Sequence, residues 1–150
     1  MPTKILTIDD MLKLDNQLCF ALYSASLAMT KLYKPLLKNL GMTYPQYLAM
    51  LALWERDGLM VSELGERLSL DSGTLTPLLK RMEAAGWISR LRDAKDERRV
   101  FITLTPAGRN LKTEAAKVPP CILSATQCTL PEIITLTQQV QALRGRLTTA

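Results

Sequence analysis

Residues 62–105 read SELGERLSLDSGTLTPLLKRMEAAGWISRLRDAKDERRVFITLT. Two short helical patterns come first, SELGERL at 62–68 and DSGTLTPLLKRMEAAG at 71–86. Ser69-Leu70 makes the turn between them, Asp71 or Ser72 caps the second pattern, and Gly86 stops it. Trp87 to Leu91 and Arg99 to Thr105 then alternate as strands do, around a polar, charged tip at 92–98. A helix able to enter a DNA groove is thereby joined to a basic loop able to reach the next groove. This is the pattern of a winged helix-turn-helix, and it is hard to explain in an enzyme.

The second helix would present Ser72, Gly73, Thr74 and Thr76 to base edges in the major groove. These residues are small and polar, so the backbone can come close. Threonine methyls can touch thymine, and hydroxyls can bond bases or phosphate. Lys80 and Arg81 follow one to two turns on, placed for phosphates. Helical hairpins recur by accident, so the strands that follow carry the decision. Arg90, Arg92, Lys95, Arg98 and Arg99 gather around the tip, with Asp93, Asp96 and Glu97 interleaved. A plain solvated loop has no need of so many arginines. A side chain such as Arg98, carried on a β-ribbon, suits a minor groove, where negative potential is strongest in narrow A·T tracts. Asp96 suits a different task, orienting an arginine through a charge-assisted bond.

The flanks are helical. From Asp15 to Leu40, apolar residues at Leu18, Leu22, Ala25, Met29, Leu32, Leu36 and Leu40 keep the period of one helix face. Asp15 reads as its N-cap, Gly41 as its stop, and Pro35 as a kink or break. Thr43-Tyr44-Pro45 opens a second helix that ends at Asp57-Gly58, and 61–68 forms a third. Beyond the strands, Thr105-Pro106 starts another helix, which Pro119-Pro120 interrupts. After Thr129-Leu130-Pro131, a last helix places Ile133, Leu136, Val140, Leu143 and Leu147 in a narrow seam of coiled-coil type.

Composition narrows the function classes. The 150 residues favour one domain or one subunit of an oligomer, 47% of them are hydrophobic, and the formal net charge is +5. That balance permits a polyanionic partner without proving one. No run of 18 apolar residues marks a membrane span, and MPTKILTIDDMLKLD lacks the features of a secretory signal, so a cytoplasmic protein is expected. The chain has no histidine, which removes imidazole from general-base work and metal ligation. Its three cysteines, with no CxxC pair, make a poor zinc site. No metal and no cofactor is expected.

DERRVFITLT at 96–105 resembles the wing signature of the MarR family of transcriptional regulators, and the whole chain fits that family's layout. The resemblance implies a mostly α subunit with a small β-hairpin, its winged helix-turn-helix at approximately 43–106. Segments 1–42 and 107–150 would knit two subunits into a homodimer. The seam from Ile133 to Leu147 argues for pairing independently. Two-fold symmetry then predicts a pseudo-palindromic operator in double-stranded DNA, its half-sites roughly 34 Å apart.

LDNQLCFALYSASLAMTKLYKPLLKNLGMTYPQYL at 14–48 resembles a narrower branch, the organic hydroperoxide resistance regulators. The resemblance puts Cys19 at the position of their reactive cysteine. It puts Tyr33 and Tyr44 at the two tyrosines that hydrogen-bond that sulfur across the dimer interface. Tyr23, one turn beyond Cys19, is expected to help wall the pocket. A cysteine without this context reads as inert core packing, and the tyrosines as interface packing. In context, the first turn of a helix and two phenol donors both favour a thiolate, the form that attacks a peroxide O–O bond. Phe20, Leu22, Met50 and Trp54 would give that pocket an apolar lining suited to an organic tail.

Two-cysteine members of the branch close a disulfide with a cysteine near the other subunit's C-terminal region. That position falls on Ser124 here, with Cys121 three residues before and Cys128 four after. On one helix these three would share a face, leaving Cys121 (the favoured candidate), Cys128 or a small thiol to resolve the oxidised Cys19. The implied function is a repressor that holds operator DNA when reduced and is released when an organic hydroperoxide oxidises Cys19. Two other functions compete: a repressor released by a small aromatic ligand, and a thiol peroxidase.

Overall fold

The structure, a computed structural model, describes residues 6–149. The expectation about a secretory signal falls partly on residues 1–5, which lie outside them. Eight helices and three strands are seen among the described residues: α1 Ile8–Met11, α2 Leu18–Lys38, α3 Tyr44–Glu55, β1 Leu59–Met60, α4 Val61–Leu68, α5 Ser72–Ala84, β2 Ile88–Arg92, β3 Val100–Leu104, α6 Pro106–Ala115, α7 Val118–Thr126 and α8 Leu130–Thr148. None of these helices is long and apolar enough to cross a membrane.

Local chemistry explains most of the boundaries. Thr43, Asp71, Thr105 and Thr129 each cap the following helix by accepting a backbone N–H three residues on. Pro45, Pro106 and Pro131 sit in first turns, where a missing N–H costs little. Pro35 neither breaks nor ends α2, which runs three residues past it. Pro119 and Pro120 interrupt the run after α6 by opening a new helix, α7.

The start of α2 differs from expectation. Asp15 is not its cap: residues Leu14–Asn16 form a 3-10 turn, and Gln17 holds the capping position without a side-chain cap bond. The Gln17 amide instead reaches back to the carbonyls of Met11 and Lys13, at 2.6 and 2.8 Å, and pins α1 to α2.

The winged unit packs α3, α4 and α5 against a three-stranded antiparallel sheet of order β1-β3-β2. Sequence periodicity indicates only the β2–β3 hairpin. The two-residue β1 exists because Leu59 and Met60 pair with Ile102 and Phe101. One hydrophobic core joins Leu37 of α2 to Met50, Leu64, Leu79, Met82 and Ile102. In α5 the buried residues Leu75, Leu78, Leu79 and Met82 share one face, as the helical period requires.

The joint between the winged unit and α6 is unusually tight. Trp54 Nε1 donates to Gly108 O at 2.9 Å, and Thr105 Oγ1 donates to Gly86 O at 2.6 Å. The Asp57 carboxylate accepts from Leu104 N at 2.9 Å and from the Arg109 guanidinium at 3.2 Å. Gly108 packs so closely that a Cβ there would lie 2.1 Å from Trp87 O.

The flanking helices are only half covered. On α2, Leu18, Tyr23, Leu27, Met29 and Leu32 are exposed, and on α8 so are Ile134, Leu136, Val140 and Leu147. Ile133 and Leu143 of the expected seam are partly buried. Such exposed apolar side chains, gathered on two helices, are what a surface for association would present.

Candidate DNA-reading surface and sensing site

The exposed face of α5 is polar. Ser72, Gly73, Thr74, Lys80 and Arg81 are exposed and Thr76 is half-buried. The Asp71 carboxylate accepts from Thr74 N at 2.8 Å. That bond holds its pKa below the usual carboxylate range, so the cap stays charged and the start of α5 stays rigid.

The wing tip is stitched by its own acids. Asp93 Oδ1 accepts from Lys95 N at 2.9 Å. Asp96 Oδ1 accepts from Arg98 N at 3.0 Å and lies 3.5 Å from Arg98 Nε. The carboxylate therefore holds the Arg98 backbone and pairs with a guanidinium whose side chain is 94% exposed. Two other arginines also contact the protein itself. Arg90 lies within β2 rather than at the tip, and Glu83 of α5 accepts from its backbone N at 3.2 Å and its Nε at 3.4 Å. Arg92 donates to Glu97 O at 3.3 Å across the hairpin. The Glu83–Arg90 contact, invisible in the sequence pattern, ties β2 to α5.

Cys19 is the second residue of α2; it is exposed, and its sulfur makes no hydrogen bond among the described residues. Tyr23 is exposed one turn on. Tyr33 and Tyr44 meet with ring centroids 4.8 Å apart. Burial pushes the Tyr33 phenol up to about 12, with Tyr44 and Tyr47 adding to the effect, and burial also raises Tyr44. Both phenols therefore keep their protons, and remain donors, across the physiological range.

Cys19 and Tyr33 stand fourteen positions apart on one continuous helix. At 1.5 Å per residue that separates them by about 21 Å. A sulfur–phenol contact cannot form within one subunit. Two α2 helices lying antiparallel about a two-fold axis would bring each thiol to the other's tyrosines.

The proposed linings divide. Phe20 and Leu22 are half-buried on α2, but Met50 is 0% exposed in the winged core and Trp54 is tied to Gly108, so Met50 cannot line an open pocket. A cleft of about 940 Å³ opens between α2 and α3, walled by Leu27, Lys31, Lys34, Met42 and Tyr44. The cysteines divide too. Cys121 is exposed on α7, which packs against α2. Cys128 does not share its face: α7 ends at Thr126, Gln127 turns left-handed at φ 58°, and half-buried Cys128 lies in the connection to α8. No group of three or more acidic, cysteine or histidine residues that could hold a metal occurs among the described residues.

Fold and surface together define a winged-helix DNA-binding regulator. The family model described as transcriptional regulator SarA/Rot matches residues 31–115. The organic hydroperoxide resistance transcriptional regulator of Bacillus subtilis (strain 168) is 57% identical over 118 residues, which span 79% of this chain and 80% of that one. AbfR of Staphylococcus epidermidis has been solved in several states. Its reduced form bound to DNA superposes with a TM-score of 0.78 at 33% identity, covering 95% of this chain and 99% of that one. Its overoxidized form bound to DNA gives 0.77 at 35% identity, covering 94% and 99%. Its disulfide form gives 0.63 at 35% identity, covering 94% of each. The chain belongs to the MarR-type transcriptional regulators, in the organic hydroperoxide resistance branch.

Proposed function

We propose that this protein is a peroxide-switched repressor acting as a homodimer. Its DNA-binding region spans approximately 43–106, and segments 1–42 and 107–150 pair the subunits. In the reduced dimer, α5 of each subunit enters a major groove through Ser72, Gly73, Thr74 and Thr76. Lys80, Arg81 and Arg92 hold phosphates, and Arg98, aimed by Asp96, enters the minor groove. Tyr33 and Tyr44 of one subunit hold the Cys19 sulfur of the other, with Tyr23 at the pocket wall.

The Cys19 thiolate attacks the terminal oxygen of an organic hydroperoxide. The O–O bond breaks, sulfur loses two electrons to become sulfenic acid, and the alkoxide leaves and takes a proton to become an alcohol. A thiol of the other subunit then displaces that oxygen as water and closes a disulfide. Cys121 is the better candidate, being exposed on α7 while Cys128 is half-buried off the helix. A disulfide needs Cα atoms within about 7 Å, so the helices must shift and the two winged units lose the operator spacing.

The observation that carries this reading is the set of likenesses to AbfR. The chain matches both DNA-bound forms at 0.77–0.78 and the disulfide form at 0.63. In that protein an overoxidized form still sits on DNA. This supports the disulfide, rather than oxygen on sulfur, as the step that changes shape. The test is an operator gel shift before and after cumene hydroperoxide. The wild-type dimer should let go; Cys19→Ser should bind equally well and stay bound. Release of that mutant by peroxide overturns the proposal.

The cleft between α2 and α3 favours a second reading, release by a small aromatic ligand; its signature is release of Cys19→Ser by salicylate-like compounds. The protein acts as a sensor rather than an enzyme. Without reductant, peroxide consumption should stop at about one equivalent per subunit, and sustained turnover with a thiol reductant would instead indicate a peroxidase.

A further inference from the structure

We infer that Tyr47, a third tyrosine outside the thiol-binding pair, is the positioning residue that sets the aim of Tyr33 and Tyr44. The inference rests on the reading that those two phenols hold the Cys19 sulfur. Tyr47 lies one turn beyond Tyr44 on α3 and is only 3% exposed. Its ring centroid stands 5.7 Å from that of Tyr33, tilted 44°, and 6.4 Å from that of Tyr44, tilted 35°. Tyr33 and Tyr44 are half-buried at the edge of the core, whereas Tyr47 belongs to the core itself, with Met50 and Leu53. The three rings form a tripod, Tyr33 from α2 and Tyr44 and Tyr47 from α3, and of the three only Tyr47 is buried.

A phenol oxygen sits at the far end of its ring, so a small ring rotation moves the hydroxyl furthest. Donors to sulfur lose their value when misplaced by about 1 Å. Two rings meeting only each other could tilt together; the third ring blocks that motion by tilted aromatic contact. Burial and the neighbouring Tyr44 also hold the Tyr47 phenol protonated, so no charge disturbs the stack. Because α3 is part of the winged unit, Tyr47 also makes the geometry at the sulfur depend on where that unit sits.

The experiment compares Tyr47→Leu, Tyr47→Phe and Tyr33→Phe in the full-length dimer. It reads the rate of Cys19 oxidation by cumene hydroperoxide, by mass mapping of the Cys19 peptide, and the pH profile of Cys19 alkylation. Tyr47→Leu should slow oxidation about tenfold and move the alkylation profile to higher pH, as Tyr33→Phe does, with reduced operator affinity within twofold of wild type. Tyr47→Phe, which keeps the ring, should restore both. Oxidation of Tyr47→Leu at the wild-type rate, while Tyr33→Phe is slow, overturns the inference alone. Wild-type rates in all three remove the thiol–phenol reading beneath it. A slow Tyr47→Phe also overturns it, because the hydroxyl and not the ring would then matter. If the leucine variant unfolds, Tyr47→Met, close in volume and without a ring, carries the same comparison.

Discussion

At the residue scale, the decisive property is which groups hold their protons. Tyr33 rises from 10.0 to about 12 because burial penalises the phenolate. Below pH 10 the phenol is protonated in both folded and unfolded chains, and its contribution is fully present. Between pH 10 and about 12 the unfolded chain releases the proton first, so stability falls as pH rises through that window. Tyr33→Phe has no proton to lose there, and its alkaline unfolding curve should be flatter than that of the wild type when followed by circular dichroism. The Asp71 cap has the opposite sign: its lowered pKa makes its contribution present above about pH 4 and lost on acidification. Arg98 is tested on DNA. Arg98→Ala should weaken operator binding roughly tenfold or more and relax preference for A·T flanks, measured by fluorescence anisotropy on matched operators. An Arg98→Ala protein with unchanged affinity would remove the wing from the minor groove.

At the element scale, the locally determined parts were legible in the sequence. Helix starts at Tyr44, Ser72, Pro106 and Leu130 follow from a capping side chain, with a proline in the first turn at three of them. What escaped depends on contacts between distant residues. The Gln17 amide overrides Asp15 by bonding carbonyls four and six residues back. Gln127 adopts a left-handed conformation that only glycine would have advertised, and so Cys128 leaves the helix face. β1 needs its partner strand to exist at all. Arg90 looks like one more wing arginine until Glu83 claims it. Tyr47 was hidden because its spacing is that of any core residue; the Tyr44-Pro-Gln-Tyr47 step of three was the available signal. The joint at α6 offers the sharpest test of element packing. Gly108→Ala should cost about 1–3 kcal/mol, because α6 must lift off Trp87. Trp54→Phe, which deletes one half-buried bond, should cost about 1 kcal/mol. Urea unfolding ranks the two, and a Gly108→Ala protein as stable as wild type would mean that the joint gives way easily.

At the scale of the molecule, the proposed homodimer would have each subunit supply half of two things: an apolar interface and a thiol–phenol site. Leu136→Asp with Val140→Asp on α8 should yield monomers in sedimentation and abolish tight operator binding, while the winged core, which shares no residue with that stripe, keeps its fold. The exposed leucines of α2 have a consequence beyond assembly. Their burial stabilises the chain only when a second copy is at hand, so the melting temperature should climb with protein concentration. Dilution and oxidant would then act on the same helix, α2. A cell holding few copies would carry a looser sensor, and the dose of peroxide that frees the promoter would depend on how much repressor it keeps.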